Sequence, residues 1–578
     1  MKKRTLPLLL TFLFVSIAVI GQSKVDKIEK LMQTYYDYGQ FNGSILVAEK
    51  DQVLFKGGFG EANKEWDIPN KANTKHRLGS ITKQFTAMLI LQLKQEGKLD
   101  LQKPITTYLP YYPAKTGDII TTHHLLSHTS GIPNYTAFPN YFEEQGRDPK
   151  TPKEFIKIFQ DKPLDFEPGS KYNYSNSAYF LLGVLIEEIT RESYAENLQK
   201  RILTPLDMNE SGYDLSSTVL KNRASGYGQN HNGFVNAPYL DMSLPYAAGS
   251  MYATVEDLYK WDQALYNHTI LSEENTKLLF KPAIELGTNN SYAYGFMVGK
   301  SPIGNTEDRF TASGHGGGIH GFNTIIMRDE DQHNLVVLLN NTGGTNLNEM
   351  STNIMAILYG KSYDMPKKSL VSEIKEQFEK NGIEKTIAEL SNFTKSDHVR
   401  IDEGDINRFG YELLTAKEID AAIAVFKLNV SLFPESSNTY DSLGEAYLNA
   451  NKKEESIANY TKSLELNSDN RGGIEALKKL GADVSKFEKE IIVSEDILES
   501  YTGKYELMPN FFMTISRTKH QLHIQATGQG VSDIYPSTEV KFYSKIVNAQ
   551  LTFNKDETGA VVSLTLHQGG DHLAKKIE

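Results

Sequence analysis

The chain has 578 residues, 39% hydrophobic and 10% aromatic, enough to pack several cores and too apolar for a disordered chain. Its formal net charge of −11 repels phosphate backbones and anionic lipid heads, so nucleic acid is not an expected partner. The absence of cysteine excludes disulfides, thiolate catalysis, cysteine-based zinc sites and a cysteine-linked lipid anchor.

At the N-terminus, Lys2, Lys3 and Arg4 precede an apolar run from Leu6 to Ile20 and a small-residue exit at Gly21. This order predicts a secretory signal peptide over residues 1–21, with an uncleaved anchor as the alternative. The run is short beside the roughly 20 apolar residues of a membrane span. The expected product is periplasmic or secreted, with no stable membrane insertion after cleavage.

Residues 25–363 mix strand and helix patterns. Gly43–Glu49 and Val53–Gly60 read as strands joined by a turn at Lys50-Asp51-Gln52, and Phe322–Arg328 with Asn334–Leu339 reads as a second pair. Helical stretches lie between them, including Gln84–Gly97 and Ala178–Arg191. Strands at both ends with helices between predict an α+β domain whose sheet the chain leaves and rejoins.

Residues 370–486 read as all helix with an internal period. Gly410 and Gly444 are 34 residues apart, as are Phe426 and Tyr460, and Tyr440, Leu443, Gly444 and Tyr447 fit the tetratricopeptide pattern with Tyr in place of Trp. Only two units are visible, so they are expected to lean on Leu370–Lys380, Glu384–Leu390 or the neighbouring domains. Residues 491–578 alternate in short segments such as Gln521–Ala526, Ala549–Asn554 and Val561–Leu566, which predicts a small all-β, barrel-like domain.

Three motifs carry the chemistry. Ser80-Ile81-Thr82-Lys83 puts a lysine three residues after a serine, so on a helix the two side chains share a face about 5–6 Å apart. A desolvated, neutral lysine can take the serine proton and so activate the hydroxyl. The same spacing occurs at Ser372–Lys375 and Ser516–Lys519; Ser80 is set apart by Gly79 before it and the apolar stretch Phe85–Leu93 after it.

Tyr174-Ser175-Asn176 follows the turn Pro168-Gly169-Ser170. The tyrosine can accept or relay a proton, while the asparagine amide can contact both the lysine and a substrate carbonyl. Gly314-His315-Gly316-Gly317-Gly318 is expected on an edge strand, where glycine admits a substrate backbone. The Gly318 and Ser80 N–H groups could form an oxyanion hole, each donor worth about 3–4 kcal/mol. Taken singly, each motif has a plainer reading: a helix cap at Ser80, a core aromatic at Tyr174, a flexible loop at the glycines.

Together, in the order S-x-x-K, Y-x-N, H-x-G, they resemble the serine β-lactamase and penicillin-binding protein superfamily. The resemblance is to its class C β-lactamase-like branch, with its D,D-carboxypeptidases, D-aminopeptidases and esterases. The stretches from Arg77 to Met88, His124 to Ile132 and Ala248 to Leu258 are similar to family blocks, and the likeness spans roughly residues 28–360. Tyr440–Tyr447 is similar to the tetratricopeptide tail often appended to such hydrolases.

The resemblance implies an exported serine hydrolase with a β-lactamase/transpeptidase-like domain. Ser80, Lys83 and Tyr174 would be catalytic; Asn176, His315, Gly317 and Gly318 would bind substrate; neither metal nor organic cofactor is required. The substrate would be a small peptide or ester. A D,D-carboxypeptidase or D-aminopeptidase-type peptidase leads, and a carboxylesterase is the alternative. From another class, the alternative is a catalytically weak peptide- or cell-wall-binding protein that recruits a protein partner through the tetratricopeptide region.

One departure matters. His315 stands where the family's penicillin-binding members carry lysine; at an ordinary value of ~6.5 it would be partly charged at neutral pH and could hydrogen-bond Tyr174. His123, His124 and His128 lack a carboxylate cluster at metal-ligand spacing and are expected to be structural. His320 is expected near the site, on substrate or capping a turn. No G-x-S-x-G elbow occurs, which disfavours an α/β-hydrolase.

Overall fold

A computed structural model describes residues 24–577, apart from 231–232, 395–398, 488–491, 509–510, 545, 548, 557 and 569. The expected signal peptide, residues 1–21, lies outside them. The chain forms two compact units divided between Asn429 and Val430, a division that falls inside the helical region expected over 370–486.

The first unit is built on one sheet. Helix α1 (residues 24–37) leads into the hairpin β1 (Gly43–Glu49) and β2 (Gln52–Phe59), whose turn holds Lys50 and Asp51 at φ +50° and +63°. Next come α2 (Thr82–Gln95), α3 (Asn176–Thr190) and α4 (Val255–Asn267). The chain returns as β3 (Ile284–Gly287), β4 (Asn290–Tyr292), β5 (Met297–Pro302), β6 (Arg309–Ile319), β7 (Phe322–Asp329) and β8 (Asn334–Asn340), then α5 (Leu347–Tyr359). The eight strands make an antiparallel sheet in the order β3-β4-β5-β6-β7-β8-β1-β2. The late strand β8 thus closes on the early β1, from Gly43 opposite Asn340 to Ala48 opposite Leu335.

Strands β1 and β8 are buried at nearly every position because both sheet faces are covered. Ile45, Val47, Val336 and Leu338 pack with Ile28, Leu31, Met32 and Tyr35 of α1, whose spacing is one helical face, and with α5. Leu46, Ala48, Val337 and Leu339 face α2, α3 and α4 on the other side. Each such buried side chain contributes about 1.5–3 kcal/mol. Phe85 of α2 stacks on Trp261 of α4 with ring centroids 4.2 Å apart, and the Trp261 indole donates to Gln84 Oε1 at 3.0 Å. These contacts fix the helix that follows the candidate nucleophile.

The region after α5 is helical but not wholly so. Lys368–Ser369 pairs in parallel with Val399–Arg400, a short ladder the all-helix expectation missed because two residues carry no periodicity. The 34-residue period corresponds to repeated close contact. A Cβ on Gly410 would stand 2.5 Å from the Phe426 ring, and in the second unit one on Gly444 would stand 3.1 Å from Tyr460. In that unit, the eight strands from Gly503–Met508 to Asp571–Lys576 close into a barrel. Its interior is filled by Tyr505, Ile515, Leu522, Ile534, Phe553 and Leu564.

Candidate active site

Ser80 lies in the tight turn Gly79–Ile81 that opens α2. Gly79 takes φ +55°, and a Cβ there would fall 2.9 Å from the Gly318 carbonyl oxygen of β6. Gly317 is closer still, since a Cβ would sit 2.0 Å from the Leu78 oxygen. That same oxygen accepts a 2.7 Å hydrogen bond from Thr324 Oγ1 on β7. The turn therefore rests on the sheet through backbone, and both glycines are needed for the approach.

Lys83, in the first turn of α2, is fully buried. Its Nζ lies 3.0 Å from Ser80 Oγ, 2.9 Å from Asn176 Oδ1 and 2.8 Å from the Ala248 carbonyl oxygen. Burial drives its pKa well below the ordinary 10.5, with no carboxylate bonded to it to reverse the shift.

Tyr174 donates its hydroxyl to Ser80 Oγ at 2.8 Å. Removal from water raises the phenol above its ordinary value, against a lowering from the Ser80 bond, so it stays protonated at neutral pH. Ser175 caps α3 by accepting from the Ala178 N–H, which brings Asn176 onto the first helical position, its amide nitrogen donating to Thr136 Oγ1 at 3.2 Å. The structure thus brings Ser80, Lys83, Tyr174 and Asn176 into one hydrogen-bonded group.

The glycine-rich segment is not a loop, and from His315 onward it is a local edge within an interior strand. It lies within β6, an interior strand whose pairing with β5 stops at Gly314 opposite Met297. Beyond that point only β7 pairs with it, from His315 opposite Ile326 to Ile319 opposite Phe322. The reason is the turn at Gly295, φ +76°, which packs on the Lys83 carbonyl and delays β5 until Met297. Gly318 is left with an open flank beside Ser80.

His315 departs from expectation. Its Nδ1 is 2.5 Å from the Gly316 oxygen and its Nε2 is 3.2 Å from the Tyr292 hydroxyl, whereas the Tyr174 ring centroid is 6.2 Å away. Burial lowers it to about 4, so it is neutral at neutral pH rather than partly charged. It bonds Tyr292, not Tyr174.

A cavity of about 370 Å³ opens over this group, and Ser80, Asn176, Gly318 and His320 line it with Phe142 and Asn323. Among the described residues its lining includes no Lys, Arg, Asp or Glu. His315 and Gly317 are not among the lining residues. His123 bonds the Tyr294 hydroxyl at 2.7 Å and His128 is enclosed by tyrosines. No group of acidic and histidine side chains among the described residues is placed to hold a metal. The Ala248 carbonyl and Tyr292 escaped sequence reasoning: a main-chain oxygen has no side-chain signature, and one tyrosine on a strand looks like any core aromatic.

The family model described as Beta-lactamase matches residues 26–359, more than half of the chain. The chain belongs to the beta-lactamase family. A model of a domain of unknown function, DUF3471, matches residues 488–576, which span the barrel. Penicillin-binding protein 4* of Bacillus subtilis strain 168 is 29% identical over 368 residues, 60% of this chain and 79% of that protein. Teichoic acid D-alanine hydrolase of Staphylococcus aureus is 31% identical over 280 residues, 48% of this chain and 66% of that protein. The octameric penicillin-binding protein homologue from Pyrococcus abyssi is 20% identical, covers 95% of this chain and 100% of its own, and has a TM-score of 0.51, a likeness of fold. The chain is a serine hydrolase of the beta-lactamase fold.

Proposed function

We propose that the chain cleaves ester or amide bonds of D-aminoacyl groups, with no free carboxylate on the leaving side, through an acyl-enzyme on Ser80. The observation that carries this reading is the Lys83 contact set. A neutral amine has two N–H groups and one lone pair. Asn176 Oδ1 and the Ala248 oxygen take the two hydrogens, which turns the lone pair toward the Ser80 hydroxyl at 3.0 Å.

In this reading Lys83 takes the Ser80 proton as Oγ attacks the carbonyl carbon. The oxyanion sits against the backbone N–H groups of Ser80 and Gly318. Tyr174 gives its proton to the departing oxygen or nitrogen, and the Lys83 ammonium restores it. Water then enters, loses its proton by the same route and releases the acid, regenerating Ser80.

The pocket selects within the class. A free carboxylate carried into it would lose hydration with no lysine or arginine in the lining to replace it. His315, held neutral, cannot substitute. This favours the D-aminopeptidase, amidase or esterase type over the D,D-carboxypeptidase type, and the relative named for hydrolysis of D-alanine from teichoic acid is consistent with it. We place the protein in the periplasm or outside the cell, on the N-terminal charge and apolar pattern. We assign the 34-residue helical period to tetratricopeptide units that hold a protein partner.

The test is a matched pair of substrates. D-alanine amide and a D-alanyl ester should be hydrolysed at least tenfold faster, in kcat/KM, than a peptide ending in D-Ala-D-Ala with its carboxylate free. Preference for the free carboxylate would overturn the substrate assignment.

A further inference from the structure

We propose that His128 is a positioning residue that holds Tyr174 on Ser80 by binding the peptide groups on either side of it; this rests on the Ser80 hydrolase reading. The main-chain oxygen of His128 accepts the Asn173 N–H at 2.9 Å, and its ring Nδ1 accepts the Ser175 N–H at 3.1 Å. Tyr174 is the residue between them. For its oxygen and ring nitrogen to reach two such N–H groups, His128 adopts φ +58°, a left-handed conformation that non-glycine residues seldom take. The ring itself lies against Tyr174, centroids 4.3 Å apart.

Neighbouring bonds extend the clamp. Ser175 Oγ donates to the Ile132 oxygen at 3.0 Å, and the Asn176 N–H donates to Asn134 Oδ1 at 3.1 Å. Segment 128–134 is thus zipped to segment 173–176, with His128 at the end nearest the phenol.

The bond fixes the tautomer. Because Nδ1 accepts, the neutral ring carries its hydrogen on Nε2, which is buried without a hydrogen-bond partner among the rings of Tyr174, Tyr179 and Tyr292. An orphaned polar atom in a tyrosine cage is unfavourable, and a residue serving only to fill space would be better apolar. The acceptor at Nδ1 is what a histidine supplies here. Burial keeps the ring neutral and the acceptor available.

The test compares His128→Asn, whose Oδ1 can occupy the Nδ1 position, with His128→Leu, which keeps bulk and loses the acceptor. The readout is the rate of Ser80 labelling by a serine-reactive fluorophosphonate, with thermal melting as the folding control. Wild-type Ser80 must label; if it does not, the hydrolase reading itself fails. If it does, His128→Leu should label about 100-fold more slowly, the effect of an ångström-scale misplacement, and His128→Asn should stay within about fivefold of wild type. Folded His128→Leu at the wild-type rate overturns the positioning role. If His128→Leu does not fold, His128→Asn decides alone, and a folded protein slowed 100-fold overturns it.

Discussion

Lys83 Nζ stands 3.0 Å from Ser80 Oγ, and its other two contacts are carbonyl oxygens that can only accept. A neutral amine satisfies that set in one way, with its lone pair on the serine. Replacing Lys83 by methionine should therefore lower kcat/KM by about 10²–10⁴-fold, the usual worth of a general base. Asn176 Oδ1 and the Ala248 oxygen would lose their donor, at a cost of about 1–3 kcal/mol each, so thermal melting must accompany the assay. Lys83→Arg should be as inactive as Lys83→Met, because a guanidinium stays protonated; a Lys83→Arg enzyme within tenfold of wild type would remove lysine from the base role.

The pH profile follows from the same shifts. Lys83, lowered well below 10.5 by burial, must be neutral to act, so activity is lost as pH falls through its pKa. Tyr174, raised above 10 chiefly by burial, keeps its proton through the working range. A plot of kcat/KM against pH should show one acidic limb and then a plateau to at least about pH 9. An alkaline limb below that point would mean the phenol is lost earlier than its surroundings allow.

His76 supplies a stability test away from the chemistry. It is fully buried, its Nδ1 bonds the Thr74 oxygen at 3.1 Å, and burial lowers it from 6.5 to about 4. The folded protein holds the neutral ring, so the unfolded chain binds more protons as pH falls below 6.5. The stability contributed is full above 6.5 and is lost toward pH 4, on the order of 3 kcal/mol for this one group. His76→Asn, whose amide can still donate to Thr74, should flatten the unfolding free energy between those pH values by up to about 1.4 kcal/mol per pH unit. Denaturant titrations at each pH would read it; an unchanged slope would mean His76 titrates normally.

Gly317 sets how closely β6 approaches the nucleophile turn. A Cβ there would need the Leu78 carbonyl, 2.0 Å away, to move. Gly317→Ala should fold, because the displaced strand has an open flank, yet lose about 100-fold in kcat as the Gly318 N–H leaves the oxyanion position. Gly316→Ala, where the nearest atom would be 3.7 Å away, should be close to wild type by the same assay.

The sequence showed the architecture where periodicity was strong and fell silent where geometry came from backbone. The strands at both ends were readable because Ile45, Val47, Val336 and Leu338 are buried on one face of the sheet and Leu46, Ala48, Val337 and Leu339 on the other, which leaves apolar runs. Ser80, Lys83, Tyr174 and Asn176 could be selected because each carries distinctive chemistry in a distinctive order. The Ala248 carbonyl that orients Lys83 and the φ +58° of His128 leave no trace in a string of letters. His315 misled for a physical reason: its charge depends on burial, which spacing does not reveal.

The most direct test is intact mass spectrometry after rapid quenching with an activated ester of N-acetyl-D-alanine, wild type against Ser80→Ala. A Ser80 acyl-enzyme predicts a transient gain of one acyl group on the wild type, mapped to the peptide containing Ser80, and none on Ser80→Ala. Turnover without any adduct, or an equal adduct on both proteins, would contradict it.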